Sequence, residues 1–363
     1  LLWLVEKCYY LIMTQADNTK NWPFVGNEQI AQYLEKCVLG SQVGGAYIFT
    51  GPDNLGKTTA AVHFAKTLLC QERKRGCCRA CGKCPACLRF DRVKEQEGEE
   101  DGFSGHSDLH IIKQAKDKKN ISIEQVRDFI RTLRMSSFLN SYKIGIIKHA
   151  DVLSTEAANA ILKTLEEPND QVVIILVANN MELLPQTIVS RSQVLRFRPV
   201  AFDDIYDYLT KEKGVSRAQA KTLGRLSLGR PALALKFHED QDFYERYLKQ
   251  MELFLDFFRE DINGRFAAIT DFIGQKATGQ ESVRLARRSL EVWRGIVRDW
   301  LLSYYGRPDL MQHAVAEKRI KQLGQAKREQ EALRLDQALR EAGEQLEANV
   351  NPKLVLEGVA AAI

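Results

Sequence analysis

No long apolar run, no one-sided charge and no compositional bias mark this 363-residue chain. Nine prolines and 23 glycines exclude a collagen-like repeat, and 45% hydrophobic with 27% charged residues excludes a disordered or coiled-coil chain. The formal charge is only +5, and acidic and basic residues cancel from residue 241 onward, so no strongly basic arm is present to grip nucleic acid unaided. The nearest approach to an export or membrane segment is LLWLVEKCYYLIM at the start, where Glu6 and Lys7 break the run after five apolar residues. It carries neither a basic leader nor a small-residue cleavage site, and the polar TQADNTKN after Met13 reads as a more natural beginning. Residues 1–12 are therefore expected to come from an upstream start, and the protein to be cytoplasmic, without membrane partners. What remains is ordinary globular composition with length for two or three domains.

Cysteine departs from this plainness. Of eight, Cys70, Cys77, Cys78, Cys81, Cys84 and Cys87 fall within 18 residues, a clustering that reads as metal ligation rather than a disulfide framework. Cys81-Gly-Lys-Cys84-Pro-Ala-Cys87 supplies three thiolates, and a fourth from Cys70, Cys77 or Cys78 would close a tetrahedral zinc site with a structural role. Arg73, Lys74, Arg75, Arg79, Lys83 and Arg89 surround it, so a nucleic-acid-reading finger is the alternative use. Cys8 and Cys37 read as isolated thiols.

Three apolar runs of strand length, 46–50 (AYIFT), 143–147 (KIGII) and 172–178 (VVIILVA), alternate with helical patterns at 57–70, 122–134 and 154–167, the last ending at Pro168. This indicates a parallel sheet covered on both faces. The acidic, glycine-containing segment 93–105 reads as a solvated loop. From residue 203 the strand signal fades into helices at 203–213, at 216–227 with Ser216 as N-cap, and at 231–238 with Pro231 in the first turn. Beyond 241 the stripes in YERYLKQMELFLDFF and LEVWRGIVRDWLLSYY read as helix packing rather than a cofactor box.

Gly51-Pro52-Asp53-Asn54-Leu55-Gly56-Lys57-Thr58 matches GxxxxGK[ST] between a strand and a helix, the context that a phosphate loop requires. Its backbone N–H groups would face phosphates, Lys57 would bring a point charge to the terminal ones, and Thr58, followed by Thr59, would offer a hydroxyl to Mg²⁺. Hydrolysis also needs an acid at the end of a second strand to hold the metal. KIGII instead ends in Lys148-His149-Ala150-Asp151, with a cation where that carboxylate is expected. Asp151 falls past the strand end and is not expected to substitute fully, so ATP can bind but rapid turnover by this chain is not expected.

WPFVGNEQI, the phosphate loop, the cysteine insertion, HSDLHII followed by ISIEQVRDFI, AANAILKTLEEP and IVSRS cover residues 22–240 nearly continuously. Together they resemble the bacterial clamp-loader ATPase family of the AAA+ class, which includes the gamma/tau and delta-prime subunits of DNA polymerase III. The eroded KHAD resembles the delta-prime branch, whereas gamma/tau keeps Asp-Glu there; the intact phosphate loop is a departure from many delta-prime members. The resemblance implies that Val25 and Gly26 lie against adenine, that Asn180 senses the terminal phosphate, and that Arg230 in LGRPALAL is the second sensor. In Ser190-Arg191-Ser192 it makes Arg191 an arginine finger acting in trans, with serine replacing the family's cysteine. For the metal it favours Cys70 beside Cys81, Cys84 and Cys87.

The expected architecture is α/β plus all-α: an AAA+ parallel-sheet domain over 13–199 with a zinc module at 70–87, a helical lid at 200–240, and a helical collar at 241–363. The implied function is that of a delta-prime-like subunit that joins gamma/tau and delta in a hetero-pentamer and helps load the sliding clamp on primed DNA. Two alternatives carry different expectations: a gamma/tau-like ATPase that hydrolyses ATP itself, and a stand-alone zinc protein binding nucleic acid.

Overall fold

A computed structural model describes residues 22–74, 76–93, 106–115, 118, 120–135, 142–167, 171–274, 279–326 and 328–363. The expected start segment with Cys8, Arg75, nearly all of the acidic 93–105 loop and the stop at Pro168 lie outside the described residues. The chain divides into two compact units, 1–198 and 199–363; the expected lid and collar segments both fall within the second.

In the first unit β1 (Ala46–Thr50), β2 (Leu109–Ile112), β3 (Lys143–Ile147), β4 (Val172–Ala178) and β5 (Gln193–Arg196) form one parallel sheet in the order β2-β3-β4-β1-β5. The three strands expected from their apolar runs are its buried centre, and every residue of β1, β3 and β4 is buried. Alternation divides them between two cores. Tyr47, Phe49, Ile144, Ile146, Ile175 and Val177 face a core shared with helices Glu28–Leu39 and Lys57–Leu68. Ala46, Ile48, Ile147, Ile174 and Leu176 face the opposite core with helices Ile123–Arg134 and Thr155–Glu166. A Cβ at Gly145 in β3 would lie 2.3 Å from Phe129 Cζ, so glycine is what lets the helix Ile123–Arg134 lie down on the strand. That helix begins with a reciprocal Ser122–Gln125 capping box, and Thr155–Glu166 with the Ser154 hydroxyl accepting from Ala157 N–H.

The second unit is all helix: Phe202–Asp207 running into a π turn at Tyr208–Glu212, then Arg217–Leu226, Pro231–Glu239, Gln241–Asp256, Ile262–Ile273, Gln280–Tyr304, Glu317–Ala326, Glu329–Glu347 and Pro352–Ala361. The aromatic stripes are packing, as expected. Trp293 stacks on Phe254 at 5.2 Å between centroids and donates its indole N–H to Gln250 O, while Trp300 is also fully buried. Within this apolar core sits a closed polar chain. Asp299, wholly buried, accepts the backbone N–H groups of Gln312 (2.9 Å) and His313 (2.6 Å) and pairs with His313 Nδ1 at 2.8 Å. His313 Nε2 meets the Tyr247 hydroxyl at 2.8 Å, and the Gln312 amide donates to Leu226 O. A buried carboxylate is tolerable only when its lone pairs are satisfied in this way.

Candidate nucleotide and metal sites

The phosphate loop leaves β1 at Thr50 and delivers the chain to the helix Lys57–Leu68, whose N-cap is Gly56. Gly51 has φ 137, and a Cβ there would sit 2.3 Å from Phe197 O, so the first glycine is required both by conformation and by the backbone just past β5. Lys57 is 5% exposed and turns its ammonium back into the loop. Its three bonds go to Gly51 O (2.5 Å), Pro52 O (2.6 Å) and Asn179 Oδ1 (3.0 Å). Burial pushes its pKa down, opposed by the charges of Asp53 and Asp151. Thr58 is half-buried and Thr59 exposed. Val25 is buried and Gly26 is left-handed at φ 67, while the next residue, Asn27, clasps Arg198 through both its N–H and C=O.

The residue that touches the loop lysine at the end of β4 is Asn179, which the sequence reading passed over. Asn180 instead turns its side chain to cap a short 3₁₀ turn, accepting from Glu182 N–H at 2.9 Å. Two adjacent asparagines after a strand point to opposite sides, and composition alone does not say which faces the loop. Asp151 also comes closer to the loop than its distance past β3 suggested. Its Oδ2 accepts the Asn179 backbone N–H at 3.2 Å, and among the described residues its buried Oδ1 has no hydrogen-bond partner. The chain therefore runs Asp151 to Asn179 to Lys57. Lys148 directly follows β3, at the position where a metal-holding acid was expected. Arg230 lies in the second unit as the N-cap residue of Pro231–Glu239, its Nε donating to Ser227 O at 3.0 Å.

Arg191 follows the short helix Gln186–Val189 and precedes β5. Its Nη1 donates to Thr187 O (3.0 Å) and Ser190 Oγ (3.3 Å), and its Nη2 pairs with Glu166 Oε1 at 3.0 Å. In the β1–β5 register Gln193 is level with Tyr47, four residues short of Gly51. At about 3.3 Å per residue the start of β5 is about 13 Å from the chain's own loop along the strand direction, with Arg191 two residues farther back.

The Sγ atoms of Cys70, Cys81, Cys84 and Cys87 all lie within 4.8 Å of one another, and no other such group of ligand residues occurs among the described residues. Cys70–Cys84 and Cys81–Cys87 are 4.0 and 3.9 Å apart, against about 3.8 Å for sulfurs 2.3 Å from one tetrahedral zinc. Backbone N–H groups of Cys81, Cys84 and Cys87 donate to Cys70, Cys81 and Cys84 sulfurs in turn. For Cys84 burial acts upward, but the backbone N–H donors of Cys87 and Gln71, together with side-chain hydrogen bonds from the Cys87 and Cys81 thiols, bring the thiol down to about 6. The donor set fits a soft, tetrahedral, four-thiolate metal. Of the three candidates for fourth ligand the structure brings in Cys70. Cys77 turns its thiol toward Arg79 O, and Cys78 packs against the first core with burial raising its pKa. Arg73 is tied to Val38 O and Cys77 O, whereas Lys74, Arg79, Lys83 and Arg89 are exposed.

A phosphate loop on the strand between β4 and β5 of a five-stranded parallel sheet, an asparagine from the neighbouring strand on its lysine, and a following helical unit define the AAA+ class of fold. The family model described as "DNA polymerase III, delta subunit" matches residues 26–201. A DNA polymerase III subunit delta' of Bacillus subtilis (strain 168) is 28% identical over 333 residues, 91% of this chain and 93% of its own. Another delta' subunit, from Pseudomonas aeruginosa, is 33% identical over 44% of this chain and 46% of its own. A Bacillus subtilis subunit tau is 32% identical over 52% of this chain but only 30% of its own. The chain belongs to the delta-prime family of DNA polymerase III clamp-loader subunits. No helix among the described residues is long and apolar enough to cross a membrane.

Proposed function

We propose that this chain serves the clamp loader mainly through its neighbours: it assembles with gamma/tau and delta subunits in a hetero-pentamer that places the sliding clamp on primed DNA, and contributes Arg191 in trans. The observation that carries this reading is the position of Arg191, at the opposite end of the β1–β5 pair from the chain's own phosphate loop and partly exposed. A guanidinium placed there serves a different molecule's phosphates or none. The phosphate loop holds ATP with Mg²⁺, with Asn179 in place of Asn180 as the phosphate-sensing amide. Lys148 keeps turnover slow, because it adds positive charge where a metal-holding acid is required. The four-thiolate module holds zinc and stiffens the insertion between the helices Lys57–Leu68 and Pro85–Val93.

An arginine finger is worth about 10³–10⁵ in rate to the site it completes. Arg191→Ala is therefore expected to leave the chain folded and assembled while ATP turnover of the reconstituted complex falls by a large factor; unchanged turnover refutes the trans role. Brisk ATP hydrolysis by the purified chain alone, abolished by Lys57→Ala, would refute the accessory reading and leave a motor in its place.

A further inference from the structure

We infer that Glu166 is the positioning residue for Arg191, holding the guanidinium aimed outward before a neighbour's nucleotide arrives. The inference rests on the trans reading of Arg191 and extends it to a second residue.

Glu166 is the last residue of the helix Thr155–Glu166, with Glu167 as C-cap and Lys163 the only basic residue of the final turn. Negative charge at a helix C-terminus faces the unpaired carbonyls and is unfavourable, so this carboxylate does nothing for its own helix. Nor is the ion pair a stabilising device: the Arg191 and Glu166 side chains are 37% and 48% exposed, and pairs so open to water add little to folding. What the pair does fix is direction. Nη2 is held by Glu166 Oε1 and Nη1 by Thr187 O, both at 3.0 Å, so two different elements grip the two ends of one planar group. Ser192 strengthens the support, its hydroxyl donating to Ile188 O at 2.9 Å and pinning the turn that carries Arg191. A long side chain that would otherwise sample many rotamers is thereby ordered in advance, and the ordering cost is not charged to the transition state. The grip is weak enough to yield, since an exposed carboxylate competes poorly with a multiply charged phosphate.

The test uses the chain assembled with its clamp-loader partners, with ATP turnover measured in the presence of clamp and primed DNA. Glu166→Gln is expected to lower kcat about three- to fivefold, the rate equivalent of an exposed ion pair, with KM for ATP unchanged. Glu166→Asp is expected to recover part of that loss, and the Arg191→Ala/Glu166→Gln double variant to match Arg191→Ala alone. Thermal melting of each variant chain, unchanged from the parent, separates these effects from misfolding. Parental kcat in Glu166→Gln, a changed KM in its place, or an equal loss in both backgrounds overturns the role given to Glu166. Unchanged turnover in Arg191→Ala withdraws the trans reading itself, and this inference with it.

Discussion

Removing one thiolate from the cysteine module tests the metal assignment quantitatively. Apart from cysteines, the module's small core among the described residues holds only Ala86 and the partly buried Ala80, whose burial contributes about 1 kcal/mol together. A structural zinc contributes roughly 10–16 kcal/mol of apparent folding free energy, so with zinc bound the order of this segment would rest on the metal. Shared among four sulfurs, that is about 2.5–4 kcal/mol per ligand, or about two to three decades in affinity for Cys84→Ser. Competition against a chromogenic chelator measures the affinity, and limited trypsin digestion reads the order at Lys74, Arg79 and Lys83. The parent is expected to hold one zinc per chain and resist cleavage there; Cys84→Ser loses both properties while the sheet stays intact. Cys77→Ser serves as control, because its thiol lies outside the cluster. Parental affinity in Cys84→Ser, or an equal loss in Cys77→Ser, refutes the assignment.

Lys57→Ala should abolish binding of a fluorescent ATP analogue to the isolated chain, measured by anisotropy at saturating Mg²⁺; retained affinity would mean that nucleotide binds elsewhere. Asp299→Ala strands two buried backbone N–H groups and an imidazole, which is expected to destabilise the second unit by about 3–5 kcal/mol, seen as loss of hydrogen-exchange protection at Gln312 and His313. A loss below about 1 kcal/mol would show that water replaces the carboxylate. Gly145→Val drives a side chain into Phe129 and Leu133 and is expected to destabilise the first unit by about 2–3 kcal/mol in a thermal melt; an unchanged midpoint would show that the helix above β3 is free to shift.

The centre of the fold was legible because β1, β3 and β4 are buried on both faces and so appear as unbroken apolar runs. The edge strands were not. Leu109–Ile112 lay within a quoted motif and Gln193–Arg196 beside another, but four-residue strands with half-buried side chains carry too little periodicity to stand out. The metal site was readable to three ligands from spacing alone. The choice of Cys70 over Cys77 and Cys78 depended on how residues 71–80 fold back, which spacing does not encode. Around the loop, Lys57 was evident while Asn179 was displaced by its neighbour. The Arg191–Glu166 pair joins residues from separate elements and leaves no local pattern.

The helix Lys57–Leu68 begins at the phosphate cradle and ends two residues before Cys70. Twelve residues at about 1.5 Å each make a rod of about 18 Å, so the proposed magnesium and zinc sites would lie at its two tips, oxygen donors at one and sulfur donors at the other, without sharing a ligand. Oxidants and electrophiles that spoil thiolates would strike one tip and spare the other, and injury to the metal would register in this subunit as local fraying rather than as lost grip on ATP.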